Sequence, residues 1–130
     1  MTVEGLTEKD GSPAWMNNAD FIYDKKRNKY WMIRERHPYP PERPNYISAE
    51  CQISVIGGED LRNDVNAWEV MINIGSVQTG KPRNHNACLI SDEFGYLPEQ
   101  KVLDFCVSVS NLGDSSLWTY RIWGGRLIIK

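Results

Sequence analysis

The sequence lacks several patterns that would name a chemistry at once. It contains no Cys-x-x-Cys pair, no glycine-rich phosphate loop, no Ser–His motif and no nucleotide fingerprint. No run reaches the ~18 apolar residues that a membrane-spanning helix needs, and the N-terminus lacks the apolar core of a signal peptide. We therefore expect no cofactor and no membrane association. The compartment stays open, because a signal could have been removed with the rest of a longer parent chain.

Neither sign of charge dominates the chain. Fifteen Lys and Arg against seventeen Asp and Glu give a formal net charge of −2. This balance provides no electrostatic case for nucleic acid, so we do not expect a nucleic-acid partner. The two histidines, His37 and His85, are far apart and have no glutamate at ligand spacing, so the sequence predicts no metal site.

The three cysteines are odd in number and widely spaced: Cys51, Cys88 and Cys106. Each occurs in a strand-like run. Because an unpaired cysteine usually behaves as a small apolar residue, we expect three buried free thiols.

What the sequence does contain is an internal repeat. The stretch Asn18-Ala19-Asp20-Phe21-Ile22-Tyr23-Asp24 recurs imperfectly as Asn86-Ala87-Cys88-Leu89-Ile90-Ser91-Asp92. Two further matches keep nearly the same spacing, residues 11–13 with 80–82 and residues 55–58 with 122–125. We interpret residues 1–130 as one β domain made of two repeats, approximately 11–78 and 79–130.

Alternating apolar positions separated by polar turns predict an all-β chain. We predict strands at residues 20–23, 29–34, 47–56 and 67–74 in the first repeat, and at 86–91, 102–109 and 116–123 in the second. The connection 59–64 is polar and could contain a helical turn. Four prolines between His37 and Pro44 exclude a helix and a central strand there. Gly124 and Gly125 are expected to end the last of these strands, with residues 126–130 starting another.

Four short antiparallel strands are what one blade of a β-propeller contains. We therefore predict a β-propeller-like fold with two four-stranded antiparallel blades, the second incomplete, and we keep a β-sandwich as the alternative. Two blades do not close a ring, and an open pair exposes apolar faces and strand edges. The chain is thus expected to be a fragment of a larger propeller or to form a homo-oligomer.

Three short motifs carry a family resemblance. They are Lys29-Tyr30-Trp31-Met32; Glu59-Asp60-Leu61 followed by Asn66-Ala67-Trp68-Glu69 and Ile74-Gly75; and Asn84-His85-Asn86-Ala87 followed by Asp92 and Gly95-Tyr96. Together they resemble blade segments of five-bladed glycoside hydrolases of family 43, the arabinanases, xylosidases and their relatives. The resemblance implies a propeller that acts on or binds polysaccharide or oligosaccharide.

The resemblance also implies three carboxylates: a base Asp, an orienting Asp and an acid Glu. Glycoside hydrolysis needs two of them on opposite faces of the scissile bond. At the base position this chain has Asn18 in one repeat and Asn86 in the other, and an amide cannot act as a carboxylate base. Asp20, two residues on and so on the same strand face, is the candidate substitute. Glu35 and Glu50 are the candidates for the acid.

Other polar residues are candidates for ligand binding. Asn18 and Asn86 could hydrogen-bond sugar hydroxyls, or they could serve as turn residues. Arg83 and His85 form a polar cluster beside Asn86, and Arg34 belongs to a charged run that could be a binding rim or an exposed ion pair. Two function classes remain open: a glycoside-hydrolase-like segment, and a non-catalytic carbohydrate-binding or protein-interaction module on the same scaffold. Whether the chain is an enzyme is undecided at this point.

Overall fold

The computed structural model describes residues 2–7, 13–15, 17–35, 50–63, 68–98, 101–111 and 121–130. Within these ranges the chain forms nine β-strands and two helices of four residues each. The elements are β1 (Thr2–Thr7), β2 (Pro13–Trp15), β3 (Asn17–Asp24), β4 (Lys29–Glu35), β5 (Cys51–Gly57), α1 (Asp60–Asn63), β6 (Glu69–Ile74), α2 (Ser76–Thr79), β7 (Arg83–Leu89), β8 (Val102–Ser110) and β9 (Arg121–Ile128).

The strands form antiparallel sheets in chain order. Strands β1 and β2 form a hairpin, β3 to β6 form a four-stranded sheet, and β7 to β9 form a three-stranded sheet. We call the last two the first sheet and the second sheet. The prediction of an all-β chain with one four-stranded antiparallel sheet and a second, smaller one is confirmed.

The second sheet meets the first sheet through β7. Strand β7 packs against β3 and β4. The loop that follows β7 returns to the end of β3, where Tyr23 donates its N–H to Gly95 O at 3.1 Å and accepts from the Leu97 N–H at 3.0 Å. The strands that carry the two repeated stretches therefore lie at the junction of the sheets.

The hydrophobic core lies between the first and second sheets. In β8 every second residue from Leu103 to Val109 is buried, while the residues between them are half-buried, as expected for a sheet with one face in the core. The first sheet contributes Ile22, Trp31, Ile33, Cys51, Ile53, Val55 and Ile74, and the second contributes Ala87, Leu89, Leu103, Phe105, Val107 and Val109. The opposite face of the second sheet, here called the outer face, is more exposed.

The prediction that Gly124 and Gly125 end a strand is wrong, because β9 runs through both of them. Gly125 pairs with Phe105 in the core-facing row. A Cβ atom at Gly125 would lie 2.7 Å from Cε2 of Phe105 and 2.7 Å from Cζ3 of Trp123. Glycine at position 125 leaves room for the two rings, and the strand continues through it.

Other boundaries differ by a few residues. Strand β3 begins before the predicted position, and β7 covers residues 83–89 where 86–91 was predicted. The segment Asp60–Asn63 is a helical turn, whereas α2 was not predicted. The proline-rich segment with His37, and residues 47–49, 66–67 and 116–120, lie outside the described residues. None of the described helices is long and apolar enough to cross a membrane.

Candidate functional site

The start of β7 is polar but buried. Arg83, Asn84 and His85 have relative exposures of 2%, 0% and 9%. Asn84 has a structural role: its Nδ2 donates to Lys81 O at 3.0 Å, and its Oδ1 accepts from Thr79 Oγ1 at 2.7 Å. These bonds fix the turn between α2 and β7, directly before Arg83 and His85, which pair with Ser110 and Ser108 of β8.

The predicted residues Glu35 and Asn86 are brought together. Asn86 has a left-handed backbone with φ of 45°, and it lies where the β7–β8 register shifts between His85 and Cys88. Such a bulge redirects the backbone, and asparagine tolerates this conformation better than most residues. The Asn86 N–H donates to Oε1 of the buried Glu35 at 3.0 Å.

His85 belongs to the same cluster. Burial lowers its pKa first, the positive charge of Arg83 lowers it further, and the carboxylate of Glu35 acts in the opposite direction. A lowered pKa favours the neutral imidazole near neutral pH, because burial and a nearby cation both disfavour the charged ring. A neutral imidazole offers one donor and one acceptor to a partner.

Asp20 is already engaged by backbone amides. Its Oδ2 accepts from the Leu89 N–H at 2.9 Å and its Oδ1 accepts from the Phe21 N–H at 2.9 Å. Asp20 pairs with Ile33, two residues before Glu35 in β4, so both carboxylates project from the same face of the first sheet. Each of them bonds a β7 amide, and together they tie β7 to the first sheet.

The other predicted site residues lie elsewhere. Arg34 and its neighbour Glu35 project from opposite faces of β4. It is buried and its Nη2 donates to Gln52 Oε1 at 2.9 Å, while Gln52 Nε2 donates to Asn73 Oδ1 at 3.0 Å. Glu50 is half-buried just before β5. Asn18 lies in β3, but its side chain is outside the described part of the structure.

Sequence reasoning missed a polar cleft of about 230 Å³ at the end of the second sheet, where β7 begins, β8 ends and β9 begins. It is lined by Lys81, Val109, Ser110, Asn111 and Arg121. The Ser110 hydroxyl is buried and has no hydrogen-bond partner among the described residues. Lys81 Nζ donates to Asn111 Oδ1 at 3.3 Å. No motif marked these residues, because only the pairing of the strands brings them together.

The cleft adjoins the β7 cluster, since Arg83 pairs with Ser110 in register. Two cations, an amide and a hydroxyl can bind hydroxyl or carboxylate groups of a ligand. Across the described ranges, no group of three or more His, Cys, Asp or Glu side chains is placed to hold a metal ion.

One solved structure bears on the fold. A β-1,3-galactosidase of glycoside hydrolase family 43, solved with galactodeoxynojirimycin, is similar with a TM-score of 0.53 and 8% sequence identity. The fold is distantly like that of family 43. The aligned region covers 93% of this chain and 33% of that enzyme, so this chain spans about a third of the enzyme's length. No protein-family model and no curated protein matches the sequence.

This family 43-like fold supports the propeller part of the resemblance read from the sequence. An identity of 8% does not allow the roles of individual residues to be transferred to this chain, because one fold hosts many functions. The site residues must therefore be judged by their own contacts, and by those contacts Asp20 and Glu35 connect the sheets.

Proposed function

We propose that this chain is a carbohydrate-binding segment of a glycoside-hydrolase-like β-propeller. The observation that carries the proposal is the polar cleft at the end of the second sheet. It lies next to the buried polar start of β7, and the chain has a family 43-like fold. The ligand class is a polysaccharide or oligosaccharide of the arabinan, xylan or galactan type.

The size and lining of the cleft favour one sugar ring. Its volume of about 230 Å³ is below the range of ~300–1,000 Å³ typical of drug-sized ligands. Sugar hydroxyls both donate and accept hydrogen bonds. The Ser110 hydroxyl can do the same, Asn111 supplies both functions through its amide, and Lys81 and Arg121 supply donors.

Binding without turnover is favoured for this chain over hydrolysis. Asn18 and Asn86 stand where the family has its base Asp, and both oxygens of Asp20 accept backbone N–H groups. Glu35 Oε1 is bonded to the Asn86 N–H. Hydrolysis needs one carboxyl group to protonate the leaving oxygen and one to activate water. The second candidate function, glycosidase activity, would therefore require Asp20 to leave its present partners.

The test is titration of the chain with arabinan, xylan and β-1,3-galactan oligosaccharides by calorimetry. We expect saturable binding that Arg121→Ala weakens about tenfold, which corresponds to ~1.4 kcal/mol. The matched control is Glu93→Ala, an exposed residue in the turn after β7, which should leave binding unchanged.

Aryl-arabinoside, aryl-xyloside and aryl-galactoside substrates test turnover in the same samples. Absence of saturable binding to every oligosaccharide would contradict the proposal. Turnover that Asp20→Asn abolishes in a folded variant would replace binding by catalysis as the function of this chain.

A further inference from the structure

Cys88 in β7 and Cys106 in β8 face each other directly. They are partners in the strand register, their sulfur atoms lie 3.0 Å apart, and both side chains are half-buried. The next residue in β7 and the preceding residue in β8, Leu89 and Phe105, point into the core. Successive side chains alternate between faces, so the two thiols lie on the outer face of the second sheet. Of the three cysteines predicted to be buried free thiols, all are free, but only Cys51 is buried, and the prediction of burial is wrong for this pair.

The backbone geometry at this pair suits a disulfide. The Leu89 N–H points away from β8 towards Asp20, whereas the Ile90 N–H donates to Asp104 O at 2.9 Å. Because hydrogen-bonded and non-bonded pairs alternate along an antiparallel ladder, the register makes Cys88 and Cys106 a hydrogen-bonded pair, for which a Cα separation of about 5.5 Å is typical. That separation is close to the commonest value in disulfides.

The register also leaves an open approach to Cys106. On its other side Cys106 pairs with Gly124, which has no side chain. A Cβ atom built at Gly124 meets nothing within 4 Å among the described residues. A small molecule can therefore reach the Cys106 sulfur from the β9 side of the outer face.

The two thiols differ in access, because the open approach at Gly124 leads to Cys106. The hydrogen bond with Cys106 raises the pKa of Cys88 to about 11, assisted by burial and by the negative charge of Asp20. A raised pKa keeps the Cys88 thiol protonated near neutral pH. The thiolate is the nucleophile in thiol chemistry, and the open approach at Gly124 leads to Cys106, so we assign Cys106 as the attacking residue.

We propose that Cys88 and Cys106 form a reversible disulfide, a modification site on the outer face of the second sheet whose oxidant is a low-molecular-weight disulfide. The Cys106 thiolate attacks one sulfur of the oxidant and releases a small thiolate, giving a mixed disulfide. Cys88 then loses its proton and attacks the Cys106 sulfur, which releases the second small thiol. The protein gives up two electrons and two protons, and the oxidant takes up both.

Cys51 is the internal control for this chemistry. It is fully buried, its Sγ donates to Asn84 O at 3.4 Å, and burial, together with the nearby Glu35, raises its pKa well above the usual range. It has neither a neighbouring sulfur nor an open approach, so it should stay reduced while the pair is oxidised.

The test is exchange of the native 130-residue chain with glutathione disulfide at low protein concentration, followed by unfolding in denaturant, alkylation and peptide mass spectrometry. We expect a linked Cys88–Cys106 peptide, a mass loss of two hydrogens and one alkylated cysteine, Cys51. Dithiothreitol should restore three alkylated cysteines. Three reduced thiols at the end of the exchange, or an adduct on Cys51, would overturn the proposal.

Three variants test the assigned order. Cys88→Ser should hold a stable glutathione adduct on Cys106, and Cys106→Ser should react several-fold more slowly. Gly124→Leu should slow adduct formation because it fills the approach. Adduct formation at Cys88 that is faster than at Cys106 would overturn the order. The wild-type peptide map does not depend on any variant folding.

Discussion

Gly124 and Gly125 are neighbours in β9, yet only one of them is required by the packing. Gly125 faces the core, where the rings of Phe105 and Trp123 lie with their centroids 5.9 Å apart. Gly124 faces outward into open space. Because successive residues of a strand face opposite sides, the two glycines have different roles. Gly125 makes room for core packing, and Gly124 leaves access to the Cys106 thiol.

We predict that Gly125→Ala lowers the free energy of unfolding by ~1–3 kcal/mol, the usual cost of overpacking a core. The added methyl would overlap the Phe105 and Trp123 rings. Gly124→Ala is the matched control and should stay within ~0.5 kcal/mol of the wild type. Urea unfolding measures both values. Equal effects of the two substitutions would contradict the assigned packing.

Sequence reasoning selected candidate residues but could not identify the groups they contact. Asp20 and Glu35 were selected as candidate catalytic carboxylates, and the structure places both against backbone amides of β7, 69 and 51 residues away. Every residue except proline has a backbone N–H, so the sequence does not indicate which of them a carboxylate will bind. The Cys88–Cys106 pair was missed for a related reason: the two residues meet only if the register of the β7–β8 hairpin is known.

At the scale of elements, β7 is the connecting strand. It is the first strand of the second sheet, it packs against β3 and β4 of the first sheet, and two of its backbone amides donate hydrogen bonds to carboxylates on those strands. The bulge at Asn86 redirects one of its amides. Docking of the two sheets therefore depends on a few polar contacts beside the apolar core.

We predict that Asp20→Ala and Glu35→Ala each lower the free energy of unfolding by ~1.5–3 kcal/mol, the range for a hydrogen bond to a charged group. Each change leaves a β7 amide without its acceptor. Glu93→Ala, which removes an exposed carboxylate, is the control and should have little effect. Chemical denaturation followed by fluorescence gives the three values. If Asp20→Ala and Glu35→Ala change the free energy of unfolding no more than Glu93→Ala does, the two carboxylates do not hold the sheets together.

Strands with a regular alternation of buried residues were predicted more accurately than strands without one. Strand β8 alternates between buried and half-buried residues, and its predicted bounds, 102–109, agree with Val102–Ser110. The start of β7 was missed because Arg83, Asn84 and His85 are polar yet buried, which hydrophobic periodicity cannot indicate. Strand β9 was cut short because a glycine pair is typical of a strand end, whereas here one glycine serves the core.

At the scale of the whole molecule, the outer face of the second sheet exposes large apolar side chains. Ile122 and Ile128 are 70% and 67% exposed. They flank Gly124 and Arg126 on β9, and Arg126 is paired with Asp104 through a bond of 2.7 Å from Nε. A mixed apolar and charged face of this kind suits contact with another sheet.

We predict that the chain self-associates at micromolar concentrations, because the outer face exposes large apolar side chains. Light scattering on a sizing column measures the mass. Ile122→Lys places a charge on the outer face and should shift the population towards the single chain, whereas Val77→Lys, a substitution at an exposed residue of α2, should not. A mass of one chain over the whole concentration range would contradict the prediction.

The hydrogen bond between Asp20 and Leu89 spans 69 residues, and this separation has a kinetic meaning. The β3–β4 hairpin closes through a turn of four residues, and loop-closure entropy rises with the length of chain enclosed. Local hairpins should therefore form early and the docking of the two sheets late. Contacts made after the rate-limiting step govern how fast a native protein opens and hardly affect how fast it folds. On this account Asp20 and Glu35 set the lifetime of the folded molecule.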